Sequence, residues 1–245
     1  MLRVIPVREW TEENINNPPN IMNLPQIPGD IETDFRAKRE LMGAFKTAHL
    51  GHVISPLANI PDWSAQKICV KQFYWHNKSV NKTVPPITRY SNADTCTKVM
   101  QELGCLDWAT MLLNLAYRFI EREVEKYGPP PKSIPKLRYV RAMFAELPLT
   151  GKCFLIEEWI DSATKFVKYI NNGSPVPCVP LGAAAEVHQI AEFLSFAQHA
   201  QYNETGGAVF TSDYQGLWSS WFTFIAHFCL GVGDLLTDPQ IISNP

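Results

Sequence analysis

One long helical period constrains this chain more than any other feature. Leu103, Leu106, Thr110, Leu113, Ala116, Ile120, Val124 and Tyr127 recur three or four residues apart, and the run stops at Gly128-Pro129-Pro130-Pro131. Apolar residues at that spacing form one stripe along an α-helix, and glycine followed by proline ends it. The pattern predicts a helix over 95–127. Each Leu or Ile on such a stripe contributes about 1.5–3 kcal/mol when fully buried, so the helix is expected to anchor the fold rather than carry chemistry.

The remaining periods are mixed. Residues 67–74 alternate as a β-branched and aromatic strand, and 42–51 combine small residues with a cation, so the two are expected to form a hairpin-like first lobe. Two strand-like segments, 137–147 and 153–160, are joined by the turn Pro148-Leu149-Thr150-Gly151-Lys152 and should pair antiparallel. Residues 165–173 end in an Asn-Asn-Gly turn. A second helix is predicted over 183–202 with Ala185, Ile190, Phe193, Ala197 and Ala200 inward, and Gly206-Gly207 lead into a strand at 208–212. The Asn- and Pro-rich stretch 14–28 reads as part of an irregular lead-in over 1–33, with the domain proper beginning at about Asp34.

At 245 residues and 46% apolar content the chain suffices for one compact domain or two small lobes. The formal net charge is −2, and Lys and Arg are spread along the sequence, which argues against a nucleic-acid groove and a polybasic membrane anchor. The longest apolar stretch, 217–230, covers 14 positions and includes Ser219, Ser220, Thr223 and His227, so it is not expected to span a membrane. A spanning helix needs about 20 mostly apolar residues. Six cysteines without a C-x-x-C pair, and an N-terminus without a continuous apolar run, place the expected site of action inside the cell, in the cytoplasm.

Chemistry concentrates near the end. Ser212-Asp213-Tyr214-Gln215-Gly216 is followed later by Leu236-Thr237-Asp238-Pro239-Gln240-Ile241, two polar motifs beside glycine and proline. With Lys71 in Ile68-Cys69-Val70-Lys71, they supply what a phosphoryl-transfer site needs. Lys71 is a cation for phosphates, Gln215 and Asp238 offer oxygen ligands for Mg²⁺, and Asp213 is a proton acceptor. Taken singly, these residues have plainer readings: a solvated lysine at a sheet edge, and aspartates capping turns. In the pair Glu157-Glu158, neighbours on a strand point to opposite faces, so only one can face a site. The six histidines show no metal-ligand spacing and are read as structural or surface residues.

The ordered set Gly43-x-Phe45-Lys46-x-Ala48, Val70-Lys71, Ile156-Glu157-Glu158-Trp159-Ile160, Phe166-Val167-Lys168-Tyr169-x-Asn171-Asn172-Gly173, Phe196-x-x-His199-x-x-Tyr202, Gly206-Gly207, Asp213-x-Gln215-Gly216 and Leu236-Thr237-Asp238-Pro239-Gln240-Ile241 resembles the atypical α-type protein kinases over about 43–242. The resemblance implies an α+β, two-lobed kinase-like fold with mixed and antiparallel sheets and a long helix in the N-lobe. The N-lobe would cover about 34–155 and the C-lobe 156–245. It implies ATP in the interlobe cleft and phosphate transfer to a serine or threonine of a protein substrate. Lys71 then looks like the strand lysine at the nucleotide phosphates, and Lys46 stands where the family's glycine-containing loop usually has arginine. Glu157 matches the acidic residue facing the adenine amino group. Asp213 matches the catalytic aspartate, and Gln215 and Asp238 match the side chains that hold Mg²⁺. His199 matches a recurrent histidine with an expected structural role.

Two departures from the family pattern stand out. The apolar segment 217–230 separates motifs that the family keeps within a few residues of each other, and removing it leaves a family-like run. The family's His-x-Cys-x-x-x-Cys zinc segment has no counterpart before Pro245, and Ile242 stands where an earlier zinc-binding histidine is often found, so the structural zinc is expected to be absent. These departures motivate an alternative expectation, a truncated kinase-like domain that binds nucleotide or protein without catalysis.

Overall fold

The computed structural model describes residues 1–4, 8, 11, 13–14, 17–36, 41–54, 67–77, 86–160, 166–217 and 234–243, without the side chains of Leu41 and Asp234. The segment from 218 to 230 therefore lies outside the described residues. The chain forms two compact units, each assembled from three stretches. Met1–Pro6, Pro19–Gly104 and Arg141–Trp159 make the first, and Val7–Pro18, Cys105–Val140 and Ile160–Pro245 the second. No helix among the described residues is long and apolar enough to cross a membrane.

The first unit is an antiparallel sheet. Its strands are β1 (Leu2–Val4), β2 (Ile31–Thr33), β3 (Leu41–Met42), β4 (Lys46–Val53), β5 (Lys67–His76), β6 (Ile87–Arg89), β8 (Ala142–Leu147) and β9 (Lys152–Glu158). The order is β1-β8-β9-β5-β4-β2, with β3 added to β4 and β6 to β5. Side chains along a strand alternate between faces, and two cores result. Ile68, Val70, Met143, Ala145, Phe154 and Ile156 pack with Leu2 on one face. Phe73, Phe144, Cys153 and Leu155 pack on the other against Val99 and Leu103 of the long helix α1 (Asn92–Tyr127). The expected pairing of 42–51 with 67–74 is present as β4 with β5, and the 148–152 turn joins β8 to β9.

α1 starts three residues before the expected 95, because the Ser91 hydroxyl accepts the Asp94 N–H at 3.1 Å and donates to the Asp94 carboxylate at 2.7 Å. Such reciprocal contacts between the cap and the first turn fix a helix N-terminus. Of its stripe Leu103, Leu106, Leu113 and Ala116 are buried and Thr110 half-buried, and Val99, Met111 and Leu112 are buried as well, so more than one helical face is covered. Tyr127, expected inward, is 70% exposed.

The second unit holds the rest of α1, the helix α2 (Ala185–Glu204) and two small sheets. One runs β10 (Phe166–Lys168), β12 (Gln215–Leu217), β13 (Asp234–Thr237), β7 (Leu137–Tyr139), and the other pairs β11 (Val209–Ser212) with β14 (Gln240–Ser243). On α2, Ile190, Phe193, Ala197 and Ala200 are buried as expected, whereas Ala185 in the first turn is exposed.

Three expectations require correction. The lead-in over 1–33 is not irregular throughout: β1 pairs with β8 and β2 with β4, and strands of three residues show no period to read in a sequence. The strand expected over 137–147 is two strands in different sheets, β7 running parallel to β13 and β8 antiparallel to β9. Between them the Val140 N–H donates to the Leu236 carbonyl and the Arg141 N–H to the Glu158 carboxylate, so the backbone is satisfied without a continuous ladder. Finally, the compact units do not follow one boundary near 155–156: along this part of the chain they part at Gly104–Cys105 within α1, at Val140–Arg141 and at Trp159–Ile160.

Candidate functional site

In the first unit, β5 and β9 are registered with Cys69 opposite Glu157 and Lys71 opposite Leu155. Lys71 and Glu157 are thus diagonal neighbours on one face of the sheet, within reach of a long side chain. Lys71 Nζ lies 2.7 Å from Glu157 Oε2, with the two side chains only 9% and 3% exposed. Glu158 faces the other way and accepts the Arg141 N–H at 3.0 Å. Lys46, at the start of β4, donates to Glu102 of α1 at 2.8 Å and sits 5.7 Å from the Phe73 ring centroid. Phe73 lies on the same face of β5 as Lys71.

In the second unit, Gln215 is the centre of a three-strand register, opposite Lys168 of β10 on one side and Thr237 of β13 on the other. Lys168 Nζ donates to Asp213 Oδ1 at 2.5 Å and to Gln215 Oε1 at 3.2 Å. Gln215 Nε2 reaches Asp238 Oδ2 at 3.5 Å, the outer limit of a hydrogen bond. Asp213, Gln215 and Asp238 are therefore brought together. Lys168, to which the sequence alone assigns no role, joins them. Its place follows from the register of β10 with β12, and strand partners are not visible in one sequence.

Both carboxylates of this group sit on unusual backbone. Asp213 has φ +61° and Asp238 φ +48°, and no other non-glycine residue among those described has positive φ. Left-handed backbone disfavours most side chains, tolerates Asp, and gathers at functional sites. Around Asp213 the chain is firmly held. The Ser212 hydroxyl donates to the Asn171 carbonyl at 3.2 Å, and the Tyr214 carbonyl accepts the N–H groups of Tyr169 at 2.9 Å and Ile170 at 3.2 Å. Burial pushes the Tyr214 phenol well above its ordinary range, so it stays neutral. Gly216 has no room for a side chain, since a Cβ there would lie 1.9 Å from the Leu235 carbonyl oxygen.

His199 is exposed on α2, and Ile242 lies on β14 opposite Phe210. Among the described residues no cluster of three or more His, Cys, Asp or Glu is placed to hold a metal ion. The donor set near Gln215 is instead two carboxylates and an amide. Hard oxygen donors few enough to leave positions for water and phosphate suit Mg²⁺. The Asp213 and Asp238 carboxylates and the Gln215 amide oxygen are donors of that kind, so the residues present fit that ion.

The alpha-kinase family model matches residues 42–245. The chain belongs to the alpha-kinase family. Among solved structures, an alpha-kinase from Entamoeba histolytica superposes with a TM-score of 0.52 at 14% identity, covering 87% of this chain and 65% of that one. This alpha-kinase chain thus spans about 65% of that relative's length, and the superposition shows that it shares the α+β kinase-like fold. The alpha-kinase domain of myosin-II heavy chain kinase A gives a TM-score of 0.49 at 17% identity, covering 89% of this chain and 76% of that one. No curated protein matches the chain.

Proposed function

We propose that this alpha-kinase chain binds Mg²⁺-ATP and transfers the γ-phosphoryl group to a serine or threonine hydroxyl of a protein. The observation that carries this reading is the succession Lys168, Asp213, Gln215 and Asp238, in which one cation, two carboxylates and an amide lie within successive polar contacts. Phosphoryl transfer asks mainly for positioning and charge compensation.

Asp213 accepts a hydrogen bond from the attacking hydroxyl and takes its proton as the new O–P bond forms and the bond to the bridging oxygen breaks, leaving ADP. Lys168 balances the Asp213 carboxylate and holds its oxygen in place. Bound Mg²⁺ neutralises phosphate charge, and Gln215 and Asp238 are the side chains that would hold it. Lys71 is the cation for the nucleotide phosphates, with Glu157 fixing the direction of its ammonium and, by the family resemblance, facing the adenine amino group. Lys46 adds a second cation at the start of β4.

Calorimetric titration with ATP, with and without Mg²⁺, tests the reading. Mg²⁺-dependent binding is expected in the unaltered chain and its loss in Lys71→Met. Asp238→Ala should remain folded while losing Mg²⁺-dependent transfer to protein. No binding by folded protein overturns the proposal, and binding without transfer reduces it to a nucleotide-binding module.

A further inference from the structure

We infer that Gln201 of α2 is a positioning residue for Asp213, because its one amide group holds the chain on both sides of that aspartate. Gln201 Oε1 accepts the Thr211 N–H at 2.8 Å, two residues before Asp213. Its Nε2 donates to the Tyr214 hydroxyl at 3.2 Å, one residue after Asp213. Gln201 is completely buried and Tyr214 is 1% exposed, so neither contact has water as a ready substitute. An unpaired buried amide is costly, which makes this geometry hard to leave.

β11 explains why an amide is needed there. β14 covers one edge of β11 with Thr211 opposite Ile241. In an antiparallel ladder alternate residues turn both backbone groups away from the partner strand, and those groups must be satisfied elsewhere. Thr211 is such a residue. Gln201 takes its N–H, and Gln198, one turn earlier on the same face of α2, donates Nε2 to its carbonyl at 2.9 Å. Two side chains thus stand in for a missing strand at the last outward-facing residue of β11 before the chain turns left-handed at Asp213. Gln198 stops at Thr211, whereas Gln201 also spans to Tyr214.

The catalytic meaning of this bracket rests on the reading of Asp213 given above, while the positioning itself can be measured without any activity. The probe is acylation of the Lys168 amine by a soluble anhydride, quantified by peptide mass spectrometry on the full chain. Lys168 is 37% exposed and held against Asp213, so its labelling reports where that carboxylate sits. Gln201→Met, which keeps the length and removes both polar contacts, should raise Lys168 labelling toward the level of Asp213→Ala. Gln198→Met should lower thermal stability comparably but leave Lys168 labelling near that of the unaltered chain. If Gln201→Met does not fold, Tyr214→Phe removes only the hydroxyl that Gln201 holds and should raise labelling in the same direction. Unchanged labelling in a folded Gln201→Met or Tyr214→Phe chain overturns the inference, as does an equal rise in Gln198→Met.

In turnover, a misplaced Asp213 should reduce kcat on the order of a hundredfold with KM for ATP unchanged. A normal kcat for Asp213→Asn would defeat the catalytic reading and leave the labelling result standing. A normal kcat for Gln201→Met beside a dead Asp213→Asn would defeat only the positioning.

Discussion

Lys71 and Glu157 form an ion pair at 2.7 Å in which each side chain is more than nine-tenths buried. Both charges are desolvated, so removing one takes an opposite charge away from the other inside a dry site. Breaking a buried pair costs about 3–5 kcal/mol, whereas replacing both partners with neutral groups is often close to neutral. Lys71→Met should therefore lower stability to urea by that order, and the double variant Lys71→Met, Glu157→Gln should recover most of it. ATP binding is expected to stay lost in both. Wild-type stability of Lys71→Met would show that the pair is not the desolvated contact described.

Gly216 gives a sharper test of the second unit. An added methyl would meet the Leu235 carbonyl oxygen at 1.9 Å and the Leu236 Cα at 3.0 Å, and both are backbone atoms that no rotamer change can move aside. Gly216→Ala should thus force β12 and β13 apart and carry Gln215 away from Asp238. The measurement is the Mg²⁺ dependence of ATP affinity, expected to collapse while the far-ultraviolet circular dichroism of the two helices persists.

What the sequence made legible was local. Long periods carried the helices and β5, and the ordered motifs singled out Lys71, Glu157, Asp213, Gln215 and Asp238 as candidates. What was not legible depends on partners distant in sequence. Leu2–Val4 is a strand only because β8 offers it a ladder, and 137–147 breaks because β13 and β9 claim its two halves. Lys168 was read as part of a motif without a role, since its place beside Asp213 follows from strand register, which no local pattern encodes. The two glutamines of α2 escaped for the same reason. An amide that satisfies a strand edge looks, in sequence, like any polar residue on a helix.

Alkaline pH should loosen the fold before it ionises these buried groups. Burial, and then the neighbouring Cys96, push the Cys153 thiol from 9.0 up to about 12. Burial also raises the phenols of Tyr139 and Tyr214 above their usual 10.0. A group whose pKa is raised by folding keeps its proton in the native state where the unfolded chain has lost it, so stability falls as pH rises through that window. The contribution is intact below pH 9 and should be lost progressively from there toward pH 12. Urea midpoints across that range check the sign, and Tyr214→Phe should flatten the slope. At pH about 8 iodoacetamide should label the exposed Cys178 and spare Cys153 until the chain unfolds.

Arg8 ties the early chain to the second unit. Its guanidinium donates Nε to both Asp107 oxygens, at 3.2 and 3.1 Å, and Nη1 to the Asn14 carbonyl at 2.8 Å. Asp107 is 4% exposed, so Arg8→Ala leaves a buried carboxylate uncompensated. A loss of about 3–5 kcal/mol is expected, and Asp107→Asn together with Arg8→Ala should be milder than Arg8→Ala alone. Urea unfolding of the three variants measures this.

The chain passes between its two units five times, with one of those passages inside α1 itself. A ribosome releasing this polypeptide from its N-terminus cannot complete the first unit until Trp159 has emerged, by which point all of α1 is already outside and awaiting partners still to be made. No single cut in the gene frees either half intact. Any strategy that expresses, swaps or tethers one unit must therefore splice three segments or accept a severed helix, so for a molecular engineer the two units are a single heritable block.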